Sequence, residues 1–405
     1  MAPSVTRWLF YRATGNGFDN YRKAGALSTR RVLDNAEGAQ TSSPPFRARW
    51  SGATMHQDEH HTSETPSSGP EIYRASLVID GLVVAPPSGR VVHELLAAGI
   101  TGCNWTVTSH SDETLTAINK IIQFYWLLEQ FPDSALLVER DDDLIRAKRE
   151  RKLGIVLGFQ GGSPLGRNPH LVRVFHRLGV RIIQLTYNEG NALAAGCLEP
   201  SNSGLTSLGV QAVQEMNRIG MLIDLSHVGA RASLEAIELS QAPVIFSHSN
   251  PRALQENPRN ISDDQIRACA AKGGVVGLAT FSAFVGETRG GRHPGLDEYF
   301  KQMDYTLNLV GPDHVAIGTD IFLDPTDGVW WRAVTGRLYP EVSQGMTYAT
   351  HNIAGFMHQS DLPAVAEAML RRSYDETTVR KVLGENWRRV YSHAWNAQSA
   401  ATQAV

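Results

Sequence analysis

The chain of 405 residues is predicted to fold as a (β/α)8 barrel, the TIM-barrel architecture of the α/β class. Eight short runs rich in β-branched and apolar residues occur between residues 76 and 321, and segments with helical periodicity separate them. Near-continuous apolar strands that alternate with helices indicate a parallel sheet covered on both faces, and eight such units close into a barrel. A doubly wound open sheet is the alternative, but the sequence after the first run lacks the glycine-rich phosphate turn of that fold.

The predicted strands, in chain order, are residues 76–84, 100–108, 153–160, 180–187, 220–227, 242–249, 273–281 and 314–321. Residues 204–220 place their apolar side chains near one face of a helix, and residues 262–273 begin with Ser and end with Gly, as capped helices do. Three Asp residues precede the basic residues of 141–152, which suits the helix dipole. The aromatic segment 322–360 is predicted to cap the barrel mouth, where Trp330 and Trp331 either line a pocket or pack within their own loop.

Residues 1–70 differ in composition from the rest of the chain. The first fifty residues carry eight Lys and Arg against three Asp and Glu, and a Ser-, Thr-, Pro- and His-rich stretch follows. We predict a disordered extension over 1–70, a barrel over 71–395 and a short tail over 396–405. An organellar transit peptide is the alternative for the extension, although the segment shows no amphipathic helix.

Overall charge and cysteine content narrow the function classes. The 38 Lys and Arg against 41 Asp and Glu give a net charge of −3, which provides no general attraction to nucleic acid or to anionic membranes. Cys103, Cys197 and Cys269 are odd in number and form no CxxC motif, which argues against a disulfide framework or a cysteine zinc site. No apolar run approaches the roughly 18 residues of a membrane span, and no secretion signal is recognisable. We expect a cytoplasmic protein that acts on a small molecule.

Polar side chains follow the ends of several predicted strands, where a barrel brings distant residues to one rim. Gln160, Tyr187, His227, His248 and Asp320 occupy these positions. Two histidines and a carboxylate on one rim predict a site for a divalent metal such as zinc, because imidazole and carboxylate are good ligands for it.

Two nearby residues receive structural interpretations from the sequence. Asp224 lies three residues before His227, on the opposite side of a strand, so a structural role is expected for it. Cys197, in a loop that reaches the rim, is expected to be a buried thiol.

Several separated motifs then suggest a family. The runs GMLIDLSHVG, PVIFSHSNPRAL, NPRNISDD, HVAIGTDIF and LGENWRRV resemble the membrane (renal-type) dipeptidases, peptidase family M19 of the amidohydrolase superfamily, over roughly residues 76–395. The resemblance implies a (β/α)8 barrel whose two zinc ions activate water to cleave dipeptides, and a homodimer. Matched residue by residue, it implies that His227 and His248 bind metal, that Asp320 is a metal-adjacent acid or base, and that Arg259 holds the substrate carboxylate.

The sequence departs from the family pattern at four positions in the same pocket. Leu82 and Val84 stand where the family has a His and an Asp ligand, and Gln160 stands where it has a bridging Glu. Tyr187 replaces a substrate-binding His and is expected to donate a hydrogen bond to a developing oxyanion. Because an amide cannot offset the repulsion between two dications, the sequence predicts one ion, held by His227 and His248 with Gln160 or Asp320.

The functional prediction is a hydrolase that cleaves an amide bond in a dipeptide or related small carboxylate through a metal-activated water. Asp320 would act as the base and Tyr187 as a hydrogen-bond donor. Two alternatives remain open: an amidohydrolase-type enzyme with other chemistry, such as a lactonase, deaminase or decarboxylase, and a barrel that binds a small molecule without catalysis.

Overall fold

The structure is a computed structural model that describes residues 68–108, 111–323 and 339–401. Nearly all of the predicted extension, and both Trp330 and Trp331, lie outside these ranges. The barrel predicted from the sequence is confirmed. None of the described helices contains a stretch long and apolar enough to cross a lipid bilayer.

Ten parallel strands in the described residues form the sheet, in the order β10-β1-β2-β4-β5-β6-β7-β8-β9, with β3 beside the first half of β4. In chain order, the strands are β1 (Ile79–Val84), β2 (Gly102–Thr108), β3 (Ala135–Leu137), β4 (Leu153–Phe159), β5 (Val180–Gln184), β6 (Leu222–Asp224), β7 (Val244–Phe246), β8 (Val275–Leu278), β9 (Val315–Ile317) and β10 (Ile321–Phe322). All eight predicted strands are present. The eighth is divided into β9 and β10, and β10 pairs with β1, which closes the barrel.

Helices follow most strands and cover the outside of the barrel. The described helices are α1 (Gly69–Ala75), α2 (Gly89–Ala97), α3 (Thr114–Gln130), α4 (Asp141–Glu150), α5 (Leu171–Arg177), α6 (Ser207–Ile219), α7 (Ala230–Leu239), α8 (Asp263–Ala271), α9 (Ser282–Val285), α10 (Leu296–Val310), α11 (Pro340–Ser343), α12 (Leu362–Arg371), α13 (Glu376–Arg380) and α14 (Asn386–Ala401). Ser262 caps α8, since its hydroxyl accepts a hydrogen bond from the backbone N–H of Gln265 as the sequence predicts. The short strand β3 was not predicted, because three residues are too few to show a period.

The interior of the barrel is filled by one apolar side chain from each of seven strands: Ile79, Val156, Ile182, Leu222, Ile245, Val275 and Ala316. Helix α14 closes the end of the barrel near these residues with a stack of Trp387, Tyr391 and Trp395, whose adjacent ring centroids lie 6.0 and 4.6 Å apart. The indole N–H of Trp387 donates to the carbonyl of Ile317, 2.9 Å away, and thereby attaches α14 to β9. The polar residues therefore collect at the other end, beyond the carboxyl ends of the strands.

Candidate active site

A cavity of about 310 Å³ opens at the carboxyl ends of the strands. The predicted site residues Gln160, Tyr187, His227, Arg259 and Asp320 all line it. His248 is fully buried beside them and contacts both His227 and Gln160. The structure therefore brings together the residues that the sequence assigned to one rim.

The two imidazoles point their Nε2 atoms at each other. His227 Nε2 and His248 Nε2 are 2.9 Å apart, and the side-chain amide nitrogen of Gln160 lies 3.3 Å from His248 Nε2. The Tyr187 ring stacks on the His227 ring with 4.0 Å between centroids, which restricts the orientation of that imidazole.

The other nitrogen of His227 has a partner that can only accept. Nδ1 lies 2.7 Å from the Oδ1 atom of Asn188, a carbonyl oxygen that also accepts from the thiol of Cys197. His227 must therefore carry its proton on Nδ1, which leaves a lone pair on Nε2. Asn188 adopts a left-handed backbone with φ of 40°, a conformation that Asn tolerates better than most residues.

A chain of three side chains fixes the protonation of His248 in the same way. The hydroxyl of Ser247 donates to Oδ2 of Asp224 at 2.5 Å, so its oxygen accepts from Nδ1 of His248, 2.7 Å away. The carboxylate of Asp224 also accepts from the backbone N–H groups of Ser226 and Ser247. Asp224 therefore does not contact His227, as expected. It positions His248 instead, through the hydroxyl of Ser247 at the end of the neighbouring strand β7.

Both Nε2 atoms consequently present lone pairs to the same point. Two facing lone pairs at 2.9 Å repel each other unless a positive charge lies between them. A proton is a poor candidate for this charge, because burial and the nearby guanidinium of Arg259 hold the pKa of both imidazoles well below the ordinary value. The pair has the donor chemistry of a metal site.

Asp320 is a buried carboxyl group at the junction of β9 and β10. Burial raises its pKa to about 7, and the negative charge of Asp80 adds to this effect while Arg259 opposes it. Its backbone has a φ of 57° and its N–H donates to the carbonyl of Leu82 at 3.3 Å. A carboxyl group with a pKa near neutrality is suited to exchanging protons.

Arg259 is 2% exposed and contributes a fixed positive charge to the cavity. One of its terminal nitrogens donates to the carbonyl of His248 at 3.1 Å, and its guanidinium lies 5.2 Å from the ring centre of Phe284. The planar guanidinium is therefore held in place for pairing with an anionic group.

Comparison with known proteins adds a family to this geometry. The model of the membrane dipeptidase family, peptidase family M19, matches residues 89–329, which is more than half of the chain. The chain belongs to the M19 family. A crystal structure of an amidohydrolase from Pseudomonas aeruginosa is 34% identical with a TM-score of 0.75, over 82% of this chain and 100% of that one.

Two proteins named as dipeptidases are also similar to this chain. Dipeptidase tcpJ of Claviceps purpurea is 30% identical over 269 residues, and dipeptidase verJ of Clonostachys rogersoniana is 27% identical over 289 residues. The matches cover 65% and 71% of this chain. The chain spans 56% of the length of tcpJ and 67% of that of verJ.

Two of the four departures from the M19 pattern lie on β1. Leu82 is buried and apolar, and Val84 lines the cavity. Within the described ranges, no three His, Cys, Asp or Glu side chains come together as a ligand group. The Gln160 side chain reaches His248 through its amide nitrogen. Gln160 and Asp320 as a third metal ligand both remain predictions.

Sequence reasoning missed the residues that fix the two histidines. Asn188 directly follows Tyr187, but its left-handed backbone gives no sequence signal. Ser247 gives no sequence signal either, because its link to Asp224 depends on the register in which Asp224 pairs with Ile245 across β6 and β7. The expectation that Cys197 is a buried thiol is wrong: the residue is partly exposed, lies beside Asn188 and lines a second cavity of about 130 Å³.

Proposed function

We propose that the protein is a metal-dependent hydrolase that cleaves an amide bond in a dipeptide or a related small carboxylate. The observation that supports this proposal most strongly is the pair of imidazole lone pairs facing each other across 2.9 Å, each held by its own hydrogen-bond partner. Membership of the M19 family and the named dipeptidases among its relatives support the reaction class.

One divalent ion, which we take to be zinc, fits the residues present. His227 and His248 supply two nitrogen ligands, and the carboxamide of Gln160, whose nitrogen faces His248 Nε2 at 3.3 Å, would present its oxygen as a third ligand after a half-turn of the amide. A bound ion would supply a water molecule acidified toward a pKa of about 7. On β1, apolar Leu82 and Val84 stand in place of two family ligands, and the carboxylate of Asp80 is bonded to Thr319 and Gln359, so the donors for a second ion are missing there.

The remaining side chains have separate tasks in this proposal. Arg259 pairs with the substrate carboxylate and orients the amide. Asp320 accepts a proton from the attacking water and returns it to the leaving nitrogen, which a pKa near 7 allows in both directions. Tyr187 keeps its proton, because burial raises the pKa of its hydroxyl, and can donate to the developing oxyanion.

Hydrolysis of a dipeptide panel by zinc-loaded native protein, Asp320→Asn and Arg259→Lys tests this assignment. Asp320→Asn should bind zinc and fold normally but lose turnover by about 100-fold or more, since its amide cannot take a proton. Arg259→Lys should mainly raise KM, because a point charge replaces a bidentate fork. Equal turnover in native protein and Asp320→Asn would remove Asp320 from the mechanism, and hydrolysis of none of the panel would overturn the proposed reaction.

A further inference from the structure

Two sectors of the cavity rim differ in chemistry, and a third group, Phe281, Phe284 and Val342, lines the cavity after β8 and in α11. Strands β4 to β7 are followed by the amide, phenol and imidazole groups of Gln160, Tyr187, His227 and His248. The adjacent strands β10, β1 and β2, together with helix α3, contribute a mostly apolar wall formed by residues 84–87, Val107, Phe124 and Phe322. The metal-binding chemistry and the apolar wall thus lie side by side around the ring of strands.

The apolar sector has little to offer a charged group. Its polar members in the described residues are Thr106, Thr108, Gln123 and Lys120, and the Lys120 ammonium group already pairs with Asp112 at 2.5 Å. Asp320 lies at the edge of the sector, next to β10. A charged substituent placed here would lose its hydration. Its only possible partners of opposite charge among the described residues of this sector are Lys120, which already pairs with Asp112, and Asp320 at the edge.

The position of Arg259 sets the direction of a substrate across the cavity. Arg259 lies in the segment after β7, and in the closed ring of eight strands β7 is opposite β2. A ligand whose carboxylate pairs with Arg259 and whose amide lies near the imidazoles would therefore extend its other end toward the apolar sector.

We infer that the substrate carries an uncharged, bulky apolar group, preferably an aromatic ring, on the acyl side of the amide. This inference rests on the proposed function, in which Arg259 holds the carboxylate of the leaving portion. In a dipeptide, the apolar group is the side chain of the N-terminal residue. The cavity volume of about 310 Å³ is at the lower end of the range for small-molecule sites, which suits one ring and a short backbone.

Dipeptide hydrolysis and ligand binding both test this selectivity, and hydrolysis is the first measurement. On zinc-loaded protein, kcat/KM for Phe-Gly should exceed that for Glu-Gly and Lys-Gly by about 10-fold or more. Phe322→Ala should lower the ratio of Phe-Gly to Ala-Gly hydrolysis several-fold. The matched control Phe131→Ala should leave that ratio unchanged, because Phe131 packs against His93 and does not line the cavity.

The second measurement is independent of catalysis. Calorimetric titration of chelator-treated native protein should show hydrocinnamoyl-glycine binding about 10-fold or more tightly than glutaryl-glycine, since both keep the carboxylate and differ in the acyl end. Hydrolysis of Phe-Gly and Glu-Gly at equal rates would overturn the inference and leave the proposed function intact. If no dipeptide is hydrolysed, the proposed function fails, and the titration alone decides the inference: equal affinities would overturn it.

Discussion

At His248, one buried hydroxyl group decides which imidazole nitrogen is available for binding. Ser247 donates to Asp224 and can therefore only accept from His248, which keeps the Nε2 lone pair free. Partners of this kind fix the tautomer of metal-binding histidines in proteins generally. The charge of Asp224 matters here because it sets the direction of the hydrogen bonds and not only their number.

Asp224→Asn is expected to reverse that direction while preserving shape. Oδ1 must remain an acceptor for the two backbone N–H groups, so the new amide nitrogen faces Ser247 and donates to it. Ser247 then turns its own proton toward His248 Nδ1, which moves the imidazole proton to Nε2. Zinc affinity should fall by about 10- to 100-fold, as measured by competition with a chelating dye.

The imidazole nitrogen shifts of the metal-free protein provide a direct check of this tautomer change. Asp80→Asn is the matched control, because Asp80 is also a fully buried carboxylate but bonds to Thr319 and Gln359 and not to Ser247. A variant Asp224→Asn whose His248 remains protonated on Nδ1, with native zinc affinity, would contradict this explanation.

Asp320 should make the folded protein less stable as the pH rises. Its pKa is about 7 in the folded chain, against an ordinary value of 3.8, so between these limits the unfolded chain releases a proton that the folded chain keeps. Stability therefore falls as the pH rises through this range. Asp320→Asn removes the penalty and should raise the unfolding free energy near pH 8 by a few kcal/mol, on the order of 1.4 kcal/mol per pKa unit.

Urea unfolding of chelator-treated native protein and Asp320→Asn, at about pH 4 and about pH 8, measures this difference. The gain should be large at the higher pH and small at the lower. Asp142→Asn serves as a control at a side chain that is 88% exposed, and it should show no such pH-dependent gain. An Asp320→Asn protein that is no more stable than native protein near pH 8 would show that Asp320 is not held at a raised pKa.

Among the elements, β7 positions His248, because the segment after β7 packs closely against β8 and against the residues that follow β9. The carbonyl of Ser247, the residue that directly follows β7, packs against Gly277 on β8 and Gly318 after β9. A Cβ added at these glycines would lie 2.2 and 1.8 Å from the carbonyl oxygen. Neither distance can be accepted without movement of the backbone. Glycine at these two positions lets the segment that carries Ser247 and His248 enter the barrel.

Gly277→Ala is expected to displace this segment and to weaken zinc binding as well as the fold. Crowding of this kind costs about 1–3 kcal/mol of unfolding free energy. Gly295→Ala is the matched control, because its Cβ would meet its nearest neighbour at 3.6 Å, an ordinary contact. Urea unfolding and zinc titration of both variants check the prediction; a Gly277→Ala protein that retains native zinc affinity would show that β7 tolerates the shift.

For the whole molecule, the barrel is predictable from the sequence because the spacing of apolar residues that marks strands and helices can be recognised in short stretches of the chain. The eight apolar runs correspond to the eight barrel strands, and the polar residues after them meet at one rim, as the parallel topology requires. The bend that separates β9 from β10 was not predictable, since it depends on the left-handed backbone of Asp320. The hydrogen-bond chain from Asp224 to His248 depends on the pairing of two strands, which no local pattern reveals.

The zinc content of the purified protein tests the central claim most directly. Native protein saturated with zinc, freed of unbound metal and subjected to elemental analysis should hold one ion per chain, because two histidines with fixed tautomers and Gln160 form one site, and Leu82 and Val84 replace the ligands that a second ion would need. His248→Ala should hold none, whereas His170→Ala, at a histidine side chain that is 70% exposed, should retain one. Two ions per chain in the native protein, or none, would contradict the account.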